Sequence, residues 1–326
     1  MDRKRLGNTE LFVTPVGMGV LTIGRTQLGL QVETGAAVIQ HAIESGINFL
    51  DTAEFYETYP YIRHALDALE PAFLSGALSR PIIASKSLAP SYVGMRRAIK
   101  DCREALGIDA IDIFLLHEVR EAPDFENRTG AWECLLEAKD KGLVRAIGIS
   151  THHICAAADA INTPGLDILF PLINFRGLGI RKGASTGTKE EMEIVIKTAA
   201  ERGIGVFSMK AFGGGNLLGD YTKALDYTTS LPGITSAMIG LGSEKDVDDA
   251  VAYFENRLPA GFIPDVSEKR MFVDRGDCEG CGACALRCTS KATRLDENGI
   301  AVIDQTKCVL CGYCAYVCPT RALIML

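Results

Sequence analysis

The chain has 326 residues, 47% hydrophobic and 23% charged, a balance that excludes disordered and fibrous proteins. Its net charge of −7, with no basic stripe, argues against nucleic acid as a partner. No apolar run approaches the ~18 residues of a membrane span, and the charged start MDRKRLGNTE has no apolar signal segment behind it, so a cytoplasmic protein is expected.

In chain order, short apolar runs alternate with amphipathic stretches. The predicted strands are VGMGV (16–20), INFL (47–50), PIIASK (81–86), IDIFLL (111–116), VRAIGIS (144–150), DILFPLI (167–173), GVFSMK (205–210) and SAMIG (236–240). Helical periodicity follows them, most clearly in SYVGMRRAIKDCREALG, AWECLLEAKDKG, KEEMEIVIKTAAERG and SEKDVDDAVAYFENR. Gly46, Gly107, Gly142 and Gly203 stand where such helices should end. This alternation predicts an α/β fold, a (β/α)8 TIM barrel. A doubly wound open sheet is the competitor, but no G-x-G-x-x-G follows the first strand.

In such a barrel, chemistry belongs at the C-terminal ends of the strands. Asp51 ends the second predicted strand and Tyr56 follows in its loop; Lys86 ends the third and His117 the fourth. Singly they read as a cap, a packing residue or a solvated end. Together they suggest proton delivery to a carbonyl: a phenol as acid, an ammonium to lower its pKa, a carboxylate to hold the ammonium, and an imidazole to orient the substrate. A hydride must then come from a cofactor.

DTAEFY, the lysine of IIASK and the histidine of IDIFLLHE resemble the catalytic tetrad of the aldo-keto reductases, and RLGNTELFVTPVGMGV resembles that family's N-terminal hairpin and first strand. The resemblance covers about residues 3–257. It implies Tyr56 as general acid, tuned by Lys86 and Asp51, with His117 orienting a small carbonyl or alcohol substrate. It also implies a nicotinamide cofactor, with Ser150, Asn174, Gly240, Gly242 and Ser243 at matching cofactor positions. Three positions depart from the family pattern: Thr151 for asparagine, Phe170 for glutamine, and Asp246 for an arginine that grips the NADPH 2′-phosphate. A carboxylate at 246 would repel that phosphate, so NADH is expected over NADPH. AFGGGNLLG (211–219) reads equally as a pyrophosphate-closing loop or a flexible turn. His152, His153 and Cys155 are expected to line the pocket rather than bind metal, and Trp132 to pack in the outer ring.

Eight of the eleven cysteines fall after residue 277. Cys102, Cys134 and Cys155 are scattered and read as packing residues. The eight form two C-x2-C-x2-C-x3-C runs, the second followed by Pro319, whereas Thr289 follows the first. This is the bacterial ferredoxin spacing for 4Fe–4S clusters, in which the fourth cysteine of each run serves the other cluster. Cluster one is assigned to Cys278, Cys281, Cys284 and Cys318, and cluster two to Cys308, Cys311, Cys314 and Cys288. Zinc usually takes two CxxC pairs across a longer spacer, which fits poorly. MFVDRGDC and IAVIDQTKC each read as a strand entering a cysteine loop, so the segment resembles a two-cluster ferredoxin of small α+β fold. The prolines and glycine of LPAGFIPDVSE (258–268) put the boundary near residue 262, giving units 1–262 and 263–326. The whole chain resembles the aldo-keto reductase subgroup with a C-terminal ferredoxin domain.

Joining the halves raises a chemical problem, because nicotinamide moves a hydride and a cluster moves one electron. Three readings stay open at this point. The clusters link a nicotinamide reductase to an external electron carrier; or they only staple the tail; or the barrel has lost nicotinamide and the chain is an electron-transfer module docking to a partner oxidoreductase. Because the eighth barrel helix should end at the bottom rim, the tail is expected to start far from the active site.

Overall fold

The computed structural model describes the backbone of residues 1–326 and every side chain except those of residues 122 and 123. Eight parallel strands close into a barrel: β1 (Val16–Gly19), β2 (Phe49–Asp51), β3 (Ile82–Ser87), β4 (Ile111–Leu116), β5 (Val144–Thr151), β6 (Ile168–Pro171), β7 (Gly205–Met209) and β8 (Ile234–Gly240), with β8 pairing back onto β1. The expected barrel is therefore present, with strand bounds shifted by at most two residues. The main connecting helices are α1 (Val32–Glu44), α2 (Tyr59–Leu74), α3 (Tyr92–Leu106), α4 (Thr129–Asp140), α5 (Ile154–Ala160), α6 (Lys189–Glu201), α7 (Tyr221–Ser230) and α8 (Glu244–Phe254).

The helices form because their apolar residues recur on one face, and in α3 that face buries Met95, Ala98, Ile99, Cys102 and Leu106. Ser91 caps its start, accepting from the Gly94 amide, and Gly107 ends it in the left-handed region. Cys102 and Cys134 lie in the core, and Trp132 packs against Phe125 with ring centres 5.6 Å apart. A hairpin, Lys4–Arg5 with Phe12–Val13, closes the bottom of the barrel. Its Leu6, Leu11 and Val13 join the barrel-interior cluster with Phe49, Phe170 and Phe207.

After α8 the chain turns back. Phe262 packs on Tyr221 at the start of α7, with ring centres 5.4 Å apart, and Lys269 reaches Asp246 near the start of α8, Nζ–Oδ1 3.6 Å. Retracing an eleven-residue helix needs about 16 Å, well within the reach of the extended segment 258–268. The tail thus starts at the far end of α8, as expected, but does not stay there: the connector climbs to the top rim.

There the C-terminal unit folds as two antiparallel pairs, β9 (Met271–Val273) with β12 (Leu323–Met325) and β10 (Thr293–Leu295) with β11 (Ala301–Ile303), around short helices α9 (Ala283–Arg287) and α10 (Tyr313–Tyr316). It docks through the glycine loop after β7. Met325 donates its amide to the Gly214 carbonyl at 2.7 Å, and Asn216 Nδ2 donates to the Leu323 carbonyl at 2.8 Å. A Cβ on Gly215 would lie 2.0 Å from the Met325 oxygen, so only glycine fits. AFGGGNLLG is thus neither a free turn nor open to close over a ligand; it is the seat of β12.

Candidate active site and cluster loops

The four residues singled out at the strand ends come together. Asp51 ends β2, Lys86 lies in β3, His117 follows β4, and Tyr56 sits in the 3-10 turn Glu54–Tyr56. The Lys86 ammonium, 1% exposed, donates to Asp51 Oδ1 at 2.7 Å, Asp51 Oδ2 at 2.9 Å and the Thr52 carbonyl at 2.7 Å. It stands over the face of the Tyr56 ring, 4.7 Å from the centre, with the Phe170 ring 5.4 Å away, and among the described residues it makes no hydrogen bond to the Tyr56 hydroxyl. The Tyr56 hydroxyl meets His117 Nε2 at 3.3 Å instead.

This corrects one electrostatic expectation. The Tyr56 pKa is raised well above that of a free phenol, first by burial and then by the carboxylates of Asp51, Asp277, Asp274 and Glu118. The net direction is upward although the Lys86 ammonium stands 4.7 Å from the ring centre. Burial, reinforced by Lys86, Arg128 and Lys210, holds His117 well below the ordinary imidazole value, so it is neutral at pH 7, and among the described residues its Nδ1 has no hydrogen-bond partner. Burial raises the Asp51 carboxyl and lowers the Lys86 ammonium, while their contact opposes both shifts. A residue the sequence reading missed braces this group: buried Arg128 donates to the carbonyls of Ser87 and His117, both at 2.8 Å, tying the ends of β3 and β4.

A cleft with about 180 Å³ of free volume runs from Asp51, Tyr56 and Phe170 past Met209–Phe212 to Gly240, Gly242 and Asp246. Its outer wall is the C-terminal unit: Asp274, Arg321 and Ile324–Leu326. Of the residues matched to cofactor positions, only Gly240 and Gly242 line it. Ser150 Oγ accepts from the Glu118 amide at 2.9 Å, Asn174 spends both ends of its amide on Leu178, and Ser243 caps α8. Asp246 Oδ2 takes the Gly242 amide at 2.9 Å, so a carboxylate already occupies the cradle a phosphate would use. The Asp246 carboxylate does not fit a 2′-phosphate at that end of the cleft. Phe170 stacks on Phe207, ring centres 4.1 Å apart, and offers no polar group.

Where the two units meet lies a charged cluster that the sequence reading largely missed. Asp277, next to the first cluster cysteine, faces Lys210 just after β7 at 3.5 Å and Arg321 at 3.4 Å. Glu118 and His152 complete it; their ligand atoms and that of Asp277 lie within 4.8 Å of one another. His153 turns away to Glu121, and Cys155 is outside the group. Glu118 and Lys210 hold left-handed backbone, φ 53° and 64°, a strained choice for side-chain-bearing residues. Lys210 closes the predicted strand GVFSMK, and the strand-end rule that found Lys86 applies to it equally.

Cys278, Cys281, Cys284 and Cys318 line one small cavity, and Cys314 has Cys308 and Cys311 as neighbours. Among the described residues, no three of the thiol sulfurs come within 4.8 Å of one another. One tetrahedral zinc would hold its thiolates ~3.8 Å apart, closer than these sulfurs lie. Backbone amides turn onto the sulfurs in matching positions of the repeat: Ala292 donates to Cys288 and Ala322 to Cys318, both at 3.2 Å. Among the described residues, no helix is long and apolar enough to cross a membrane.

The Aldo/keto reductase family model matches residues 15–230, and the 4Fe-4S dicluster domain matches residues 277–322. An aldo-keto reductase of Mycobacterium avium is 31% identical over 136 residues, 41% of this chain and 44% of that protein. The chloroplastic pyridoxal reductase of Arabidopsis thaliana is 27% identical over 255 residues, 71% of this chain and 68% of that protein. The chain spans about half the length of several curated relatives that it matches. The holo form of aldo-keto reductase AKR11C1 from Bacillus halodurans shares the barrel, with TM-score 0.64 at 20% identity, covering 78% of this chain and 91% of that one. Matched over most of its barrel, the chain belongs to the aldo/keto reductase family and carries a 4Fe-4S dicluster domain after the barrel.

Proposed function

We propose that the chain is an oxidoreductase that interconverts a small carbonyl compound and its alcohol, with residues 1–262 as the catalytic barrel and 263–326 as an electron-transfer unit serving the same site. What carries this reading is the docking of the C-terminal unit over the barrel mouth, where Asp277 touches Lys210 one residue before Cys278. A unit that only stapled the tail would need no contact with the catalytic end.

Tyr56 is the general acid. Burial and the surrounding carboxylates keep its hydroxyl protonated across the physiological range, ready to give the proton to a carbonyl oxygen. Neutral His117, 3.3 Å from that hydroxyl, orients the oxygen. The Asp51–Lys86 pair fixes the ring through its face. When bound, nicotinamide would supply or accept the electron pair as hydride, and the two clusters, one electron each, would together pass such a pair to or from an external carrier. Cys278, Cys281, Cys284 and Cys318 would hold one cluster, and Cys288, Cys308, Cys311 and Cys314 the other. Asp246 favours NADH over NADPH. A second reading, in which the barrel works without nicotinamide, draws on the Gly242–Asp246 contact and on β12 occupying the glycine loop. Anaerobic titration of NADH and NADPH, followed by nicotinamide fluorescence, separates the two. Binding of NADH with a carbonyl-dependent decay of its 340-nm absorbance (~340 nm for any reduced nicotinamide) supports the first. No binding of either nucleotide removes it, and tighter NADPH binding removes the NADH preference.

A further inference from the structure

The junction cluster holds two cations that the protein leaves short of partners. Arg321 is 3% exposed, yet among the described residues its side chain makes a single hydrogen bond, the 3.4 Å contact of Nη2 with Asp277, and its Nε has no partner. Lys210 reaches the same carboxylate oxygen at 3.5 Å and makes no closer ion pair. Charge-assisted hydrogen bonds close to ~2.7–2.9 Å, so one carboxylate at these distances does not satisfy both. Buried donors left this way are costly unless a ligand completes them. Burial, with Arg321 beside it, pulls Lys210 down to about 8, a sign that Asp277 answers it incompletely.

The internal repeat sharpens the point. Lys291 occupies the position of Arg321 in the first run, with the same left-handed backbone, φ 54° against 62°. Lys291 is exposed; Arg321 is buried and lines the cleft with Tyr56 and Lys210. The backbone of Arg321 therefore belongs to the ferredoxin fold, but its burial belongs to the docking. Lys210 acts electrostatically on His117, and Asp277 on Tyr56, which puts the cations at the catalytic end of the cleft and not at the Asp246 end.

We propose that Lys210 and Arg321 grip the carboxylate of the substrate, so that the barrel acts on a small oxo acid or hydroxy acid and the C-terminal unit supplies a specificity-determining residue. This rests on the carbonyl–alcohol reading above for its chemistry, but the anion site stands on its own geometry. The probe is oxamate, an unreactive oxo-acid mimic, titrated calorimetrically into the anaerobic holoprotein against its neutral ester, ethyl oxamate. Oxamate should bind at least tenfold more tightly than the ester. Arg321→Gln and Lys210→Gln, each with intact cluster absorbance, should erase that difference and leave the ester unchanged, and Arg321→Lys should keep part of it. Equal binding of oxamate and ester, or undiminished oxamate binding in both glutamine variants, overturns the proposal. ADP-ribose distinguishes the other source of anionic charge: if the variants lose ADP-ribose and keep oxamate, the cations serve a dinucleotide diphosphate and the proposal is wrong. If oxamate behaves as stated while no oxo acid is turned over, the carboxylate site stands and the reductase reading falls.

Discussion

The two ends of the barrel are both covered, by opposite means. At the bottom, Leu6, Leu11 and Val13 of the hairpin plug the interior at 0–2% exposure, and the Asn8 amide bonds to the Gly203 carbonyl. That lid is apolar and satisfied. At the top, the C-terminal unit brings Asp274, Asp277 and Arg321 against Lys210, Glu118 and His152 and leaves donors without partners. Burying leucine stabilises a fold by ~1.5–3 kcal/mol per side chain, whereas burying under-paired charge costs free energy. A fold has reason to tolerate the second kind of lid only where something else binds.

Iron removal should separate the two lids most sharply. The C-terminal unit has a core of seven buried residues, two of them cysteines, too small to hold without metal. Chelation under anaerobic conditions should therefore expose residues from about 270 onward to protease while the barrel and its hairpin stay intact, as mass spectrometry of the fragments will show. Equal protection of both ends would mean that the upper lid is not held by metal.

Next in size is Tyr56→Phe. Loss of the acid should lower carbonyl reduction by roughly 10²–10⁴-fold with cluster absorbance unchanged. A residual rate near wild type would move the proton source elsewhere in the cleft.

The hairpin supplies the opposite result. Leu11→Ala should cost about 2–5 kcal/mol of stability in chemical denaturation and leave oxamate affinity unchanged. A loss of affinity there would couple the two ends and blur the contrast.

The smallest effect is a pH dependence. Lys210, pulled to about 8, faces Arg321, Asp277, Asp274 and Glu118, with His152 alongside. Its protonated form holds the anion. Oxamate affinity should be flat below pH 8 and fall above it, by at most ~tenfold per unit. The Lys210→Gln variant should show no such fall, and an unchanged profile in that variant would assign the titration to another group.

Much of this molecule was legible in the sequence because its signals are local. Strand–helix alternation needs only neighbouring residues, and the cysteine runs carry their own spacing. Asp51, Tyr56, Lys86 and His117 were found because barrel geometry sends strand ends to one rim. What escaped depends on contacts between distant parts. That Lys86 meets Asp51 and Thr52 and not the Tyr56 hydroxyl is a matter of ångströms. Arg128 reads as an ordinary helix-start cation until its reach to Ser87 and His117 is seen. Arg321 and Lys291 look alike in the repeat, and only docking tells them apart. The direction of the connector after α8 was not legible, because helix polarity fixes where a linker starts, not where it goes.

The central claim is that the cluster unit and the catalytic cleft form one site. It is tested most directly by electron paramagnetic resonance of the anaerobically reduced protein, with and without saturating oxamate. Because Asp277 and Arg321 flank Cys278 and Cys318, filling the cleft should shift the reduced-cluster signal although the ligand touches no iron. Identical spectra at full occupancy would contradict the account.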